Sequence, residues 1–172
     1  MKKKRIKIII IGLLAMIFVI LNIFWYIGVF RAYFLLQSKM TSNPNYVNEG
    51  IVDEEGYSCY VKFPTYLYWK DGNLSIGSPM KEIGDAPEGE DKKIYAANGG
   101  SVIIWLKHFS GDIKELGVIL EQDGVNRQIY LVDSATARYE DDQPYVDAGQ
   151  DEINKLFKKA EDVWDLEMPW KK

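Results

Sequence analysis

Residues 101–109 read SVIIWLKHF. Val102, Ile104 and Leu106 fall on one side of an extended chain and Ile103, Trp105 and Phe109 on the other, a period of two with apolar groups on both faces. That pattern predicts a central strand, covered on both sides. Downstream, turn signals at Ser110-Gly111-Asp112 and Asp123-Gly124 set it apart from Leu116–Glu121 and Arg127–Val132. Val118 and Leu120 face one way there, and Ile119 the other. Three such runs joined by tight turns predict an antiparallel meander. A weaker strand signal follows at 135–139.

The period then changes. Ile153, Leu156, Phe157, Ala160, Val163 and Trp164 recur every three or four residues and predict an amphipathic helix whose stripe packs across the sheet. A stripe left open for a partner is the rival reading. Asp147 and Gln150 stand at capping-box spacing, Asp151 and Glu152 suit the first turn, and Pro169 bars any continuation.

Upstream, Tyr57, Cys59, Val61 and Phe63 alternate over residues 57–63. Pro64 separates them from 65–70, where Leu67 and Trp69 share one face and Tyr66 and Tyr68 the other. Asp71-Gly72 then permits a hairpin into Leu74–Ile76. From Gly77 to Lys93 glycine, proline and acidic residues dominate, with Met80 and Ile83 the clear apolar anchors, so a long surface loop is expected. The whole predicts an α+β domain over 57–172: an antiparallel sheet of five or six strands with one C-terminal helix packed on it. Residues 41–56 read as a linker.

The N-terminus carries a different signal. Lys2, Lys3, Lys4, Arg5 and Lys7 precede an uncharged run from Ile8 to Phe30, closed by Arg31. Twenty-three residues at helical rise reach about 34 Å, enough to cross a hydrocarbon core of roughly 30 Å with some tilt. The run exceeds a signal-peptide core and ends in Trp25, Tyr26 and Phe30 where a cleavage site would need small residues. Residues 1–40 are therefore expected to form a basic cytoplasmic tip, a retained transmembrane helix and a short stalk. The positive-inside bias places the N-terminus in the cytoplasm and the domain in the periplasm or outside the cell, on a bacterial inner or plasma membrane. Asn22 lies in the apolar run, where an unpaired amide is costly. It bonds either to a second transmembrane helix or to its own backbone.

Charge divides sharply along the chain. All 25 acidic residues lie beyond Met40, against fourteen basic ones, so the ectodomain carries about −11 while the whole chain carries −4. Such a surface repels nucleic acid and attracts basic proteins or cations; it also serves solubility alone. The acidic run Glu140, Asp141 and Asp142 and the aromatic pair Tyr66 and Tyr68 are the candidate partner contacts.

Catalytic signatures are sparse. Cys59 is the sole cysteine and His108 the sole histidine, which removes an intramolecular disulfide and any two-histidine metal site from one chain. A Cys59–His108 pair has no identifiable third group, and no GxSxG elbow is present. Gly99-Gly100 lacks a downstream Gly-Lys-Ser/Thr and precedes a strand, which argues against a phosphate cradle. Glu121, Asp123 and Asp133 offer carboxylates beside strands, as a glycosidase requires, without a chosen pair. No EF-hand spacing appears. We therefore expect no enzyme activity, cofactor or metal, but a membrane-anchored, extracytoplasmic protein-binding domain touching the bilayer through residues 8–30. A bacterial immunity protein that neutralises a basic toxin is one such form. An accessory subunit of an envelope complex and a carboxylate-dependent envelope hydrolase are the alternatives.

Overall fold

A computed structural model describes residues 2–40, 51–52, 55–66, 68–85, 93–97, 100–122 and 125–170. Helix α1 (Lys2–Val29) continues through a π-helical turn (Phe30–Phe34) into α2 (Leu35–Ser38). Lys4–Ser38 is one helical stretch long and apolar enough to cross a membrane. Strands β1 (Ile51–Val52), β2 (Ser58–Lys62), β3 (Asn73–Gly77), β6 (Ser101–Leu106), β7 (Ile113–Gln122) and β8 (Val125–Leu131) form an antiparallel sheet in the order β1-β2-β3-β6-β7-β8. Between β3 and β6, strands β4 (Met80–Asp85) and β5 (Lys93–Ala97) form a separate two-stranded ribbon and, among the described residues, pair only with each other. Two short helices close the chain, α3 (Gln143–Ala148) and α4 (Gln150–Trp164).

The fold is α+β, and its core follows from the two periods. Leu74, Ile76, Val102, Ile104, Val118 and Ile129 are fully buried on one sheet face. Ile153, Leu156, Phe157, Ala160 and Trp164 of α4, which lies over β3 and β6, are equally buried. Each large side chain so covered contributes about 1.5–3 kcal/mol. The other sheet face differs from expectation: Ile103 and Trp105 are only half-buried, and Trp105 is covered by the ring of Tyr130 at 5.8 Å. A helix covers one face of β6.

Four local expectations are corrected. The described residues of 65–70 form no strand: Thr65 and Tyr68 make an isolated bridge and Trp69–Asp71 is a 3-10 turn. The Asp71 carboxylate accepts the Thr65 backbone N–H at 2.9 Å and its hydroxyl, which folds the segment back on itself, so β2 pairs directly with β3 from Lys62↔Asn73. Gly77–Lys93, expected as a long surface loop, contains β4 and the start of β5. The 135–139 signal is a single bridge, Leu131↔Ala137. Asp147 does not cap α4; it lies in α3 and accepts from Gln143 Nε2 at 2.7 Å, while Gly149 is the N-cap.

The end of α4 is set before Pro169. Asp165 adopts a left-handed conformation (φ 56°) and donates its N–H to Glu161 O at 2.7 Å. The tail then folds back, burying Met168, and Trp170 Nε1 reaches the Glu161 carboxylate at 2.6 Å.

The expected stalk is built into the domain. Ala32, Tyr33 and Leu36 belong to the same buried cluster as the sheet and α4. Lys39 Nζ donates to Trp164 O at 3.0 Å and lies 3.6 Å from the Asp165 carboxylate. Within the expected linker, Ile51–Val52 pairs with β2, whereas 41–50 and 53–54 lie outside the described residues.

Candidate functional site

Three surfaces carry unspent chemistry. The first is the junction between α1 and the domain. One face of the helix, Asn22, Trp25, Gly28, Ala32, Tyr33 and Leu36, keeps helical spacing and turns toward the segments 63–72 and 107–111. Trp25 is 4% exposed. Its ring meets Tyr66 edge-on at 5.6 Å and also lies against Trp69 and His108. Gly28 is where the His108 imidazole sits, so close that any Cβ there would overlap the ring. Among the described residues no partner reaches either His108 nitrogen, and burial pushes the imidazole pKa below its ordinary 6.5. The Thr65 hydroxyl and N–H hold the Asp71 carboxyl below the usual carboxylate range, fixing the loop that carries Tyr66.

Asn22 and Tyr66, two residues singled out separately in the sequence, meet here. Tyr66 donates its hydroxyl to Asn22 Oδ1, and Asn22 Nδ2 donates to Phe18 O at 2.8 Å. Tyr68, in the same loop, is 55% exposed and bonds through its N–H to Thr65 O at 2.7 Å. The contribution of Trp25, Trp69, Gly28 and His108 was not legible. Trp25 reads as an interface anchor from its position alone, and His108 reads as a rim residue of β6.

The second surface is the opposite end of the sheet. Strands β3, β6 and β7 place Gly77, Ser101 and Ile119 in register there, away from the 107–113 turn. The β4–β5 ribbon leaves and returns at this end. Its base is locked by buried Ser78, whose N–H and hydroxyl both donate to Gly100 O (3.0 and 2.9 Å), with the Glu152 carboxylate also at the hydroxyl. Glu140 and Asp141 are exposed in the turn before α3. Asp142 is engaged: Arg127 Nη1 lies 3.3 Å from its carboxylate and the guanidinium covers the Tyr145 ring at 4.1 Å. Tyr66 and Tyr68 therefore belong to one end of the molecule and Glu140, Asp141 and Asp142 to another element altogether.

The third is an open groove of about 800 Å³ between the start of β7, the end of β8 and the returning tail, lined in part by Asp112, Glu115, Arg138, Asp165 and Met168. Arg138 bridges Glu115 at 2.5 Å across it. Of the carboxylates weighed for catalysis, Asp133 accepts from Ala135 N (2.9 Å) and Thr136 Oγ1 (3.1 Å) and fastens a turn, Glu121 is exposed, and Asp123 lies outside the described residues. Among the described residues no three His, Cys, Asp or Glu side chains converge as metal ligands. Comparison of the chain with family models, curated proteins and solved structures finds no match.

Proposed function

We propose that the chain is a noncatalytic binding protein held in a bacterial inner or plasma membrane, with its basic tip in the cytoplasm and its acidic domain in the periplasm or outside the cell. The single observation that carries this reading is the distribution of charge along one molecule. An apolar helix with a basic start leads into a domain of about −11, whose end remote from the helix exposes Glu140 and Asp141 and bears the β4–β5 ribbon. A surface of that sign speeds encounter with a basic protein and penalises acidic competitors.

The biological form that best suits a small acidic domain at such an address is an immunity protein, which would meet a basic toxin at the envelope and mask it. Two features support this reading over its alternatives. Asp133, one of the carboxylates weighed for catalysis, is spent on fastening a turn. Asn22 has both ends of its amide engaged within the chain, so nothing at that residue calls for a second transmembrane helix, as the accessory-subunit alternative would have it.

The test is co-purification of the full chain, in detergent, from cell-envelope extracts at low and high salt, beside Glu140→Gln/Asp141→Asn. A basic protein retained at low salt, released at high salt and weakened by the double substitution is expected. Retention indifferent to both salt and substitution would sink the acidic-surface reading.

A further inference from the structure

Helix and domain do not meet end to end; they overlap. Among the described residues the domain begins to touch α1 at Asn22, and Ile8–Leu21 is exposed. Fourteen residues rise about 21 Å, some 9 Å short of a hydrocarbon core of roughly 30 Å. Six more residues make up the difference, which brings the boundary to about Ile27. That level lies beyond the contacts of Asn22 with Tyr66, of Trp25 with Trp69, and of Phe24 with Phe109 (ring centroids 6.4 Å).

We propose that the rim formed by Tyr66, Tyr68 and Phe109 is a second membrane contact, seated at the outer boundary of the hydrocarbon core of the bilayer that α1 crosses. This rests on the reading that α1 spans a membrane. The three side chains are exposed by 47%, 55% and 53%; Tyr66 adjoins Trp25, Phe109 adjoins the exposed ring of Phe24, and Tyr68 belongs to the same loop as Tyr66. The apolar surface of the span thus runs without a break onto the domain. Lys70 and Lys107, both exposed, follow Trp69 and precede His108 in the same two segments. Aromatic rings with lysines alongside suit the layer between acyl chains and phosphates, where a ring is half-solvated and an ammonium reaches up to the headgroup. The acidic bulk of the domain disfavours an electrostatic hold on anionic lipid, so the contact is apolar and serves a zwitterionic surface. The domain is therefore wedged into the membrane surface, with Tyr66, Trp69, His108 and Phe109 level with Phe24 and Trp25.

The experiment uses the full chain in phosphatidylcholine nanodiscs, in a Cys59→Ala background, with a nitroxide attached singly at Tyr68→Cys, Phe109→Cys, Phe18→Cys or Val125→Cys. Collisions with oxygen, which dissolves in acyl chains, are compared with those of a water-soluble nickel chelate. Phe18 reports the span itself, and Val125, exposed at the β7–β8 turn, reports bulk water. The expected result is an oxygen-to-nickel ratio at 68 and 109 several-fold above that at 125, approaching that at 18. A ratio at 68 and 109 equal to that at 125, with 18 in lipid, overturns the rim contact alone. Position 18 in water overturns the spanning reading. Positions 68 and 109 shielded from both reagents would mean that protein covers the rim, which also overturns the proposal. Tyr66 is left unlabelled because it holds Asn22.

Discussion

The Tyr66 hydroxyl donates to the side-chain oxygen of Asn22, 44 residues earlier and in the apolar helix. An amide in residues 17–24, otherwise made of Ile, Leu, Phe and Val, is costly unless both its ends are served. Phe18 O accepts one end and a domain loop serves the other. The hydrogen bond thus ties the loop to a fixed height on the helix.

Tyr66→Phe should leave the Asn22 oxygen without its donor and lower stability by about 1–2 kcal/mol. Asn22→Leu, which removes the need along with the partner, should cost less. Thermal unfolding of the full chain in detergent, followed by near-UV circular dichroism, measures both. A double variant no worse than Tyr66→Phe alone completes the cycle.

Gly28→Ala places a methyl where the His108 ring lies. The overlap should cost about 1–3 kcal/mol, as crowding of a packed site generally does. His108→Ala in the same chain should recover most of the loss. If Gly28→Ala unfolds at the same temperature as the native chain, helix and turn are not in the contact described.

The imidazole of His108 has its pKa lowered by burial. The unfolded chain therefore binds this proton more readily than the folded one, so stability is complete above the ordinary pKa of 6.5 and falls as pH drops through it toward the lower folded value. The midpoint of thermal unfolding should decline from pH 7.5 to 5.5. His108→Gln should flatten that part of the profile, and an unchanged slope would assign the decline to other groups.

Leu36→Ala removes a side chain shared between helix and sheet core, and a loss of about 2–4 kcal/mol is expected. A chain beginning at residue 41 also lacks Ala32 and Tyr33. Its amides in β2 and β6 should exchange with solvent far faster than in the full chain. Equal protection would show that the domain closes its core alone.

The elements that were readable from sequence are those whose period and burial agree. The α4 stripe and the alternation of β6 survive because Ile153, Leu156, Val102 and Ile104 all face one core. The segment 65–70 misleads because Tyr66, Leu67, Tyr68 and Trp69 alternate like a strand, while the decisive interaction is Asp71 reaching back to Thr65. Strands β4 and β5 were hidden by Gly84, Pro87 and a run of acidic residues, since a ribbon pairing only with itself lacks a full apolar face to announce it. The junction was least legible. Gly28 and His108 are eighty residues apart, and neither residue type signals the other until the chain brings them together.

Lys39 closes the molecule in a way that bears on how it would search for a ligand. By grasping Trp164 O and lying beside Asp165, it joins the end of the first helix to the end of the last, directly after Leu36 has entered the core. A domain on a slack tether sweeps a hemisphere and spends orientational entropy on every encounter. Here the swivel is already removed. If α1 crosses the bilayer, Glu140 and Asp141 are carried at one height and one azimuth above it, and molecules drifting laterally present the same face to everything that reaches that plane.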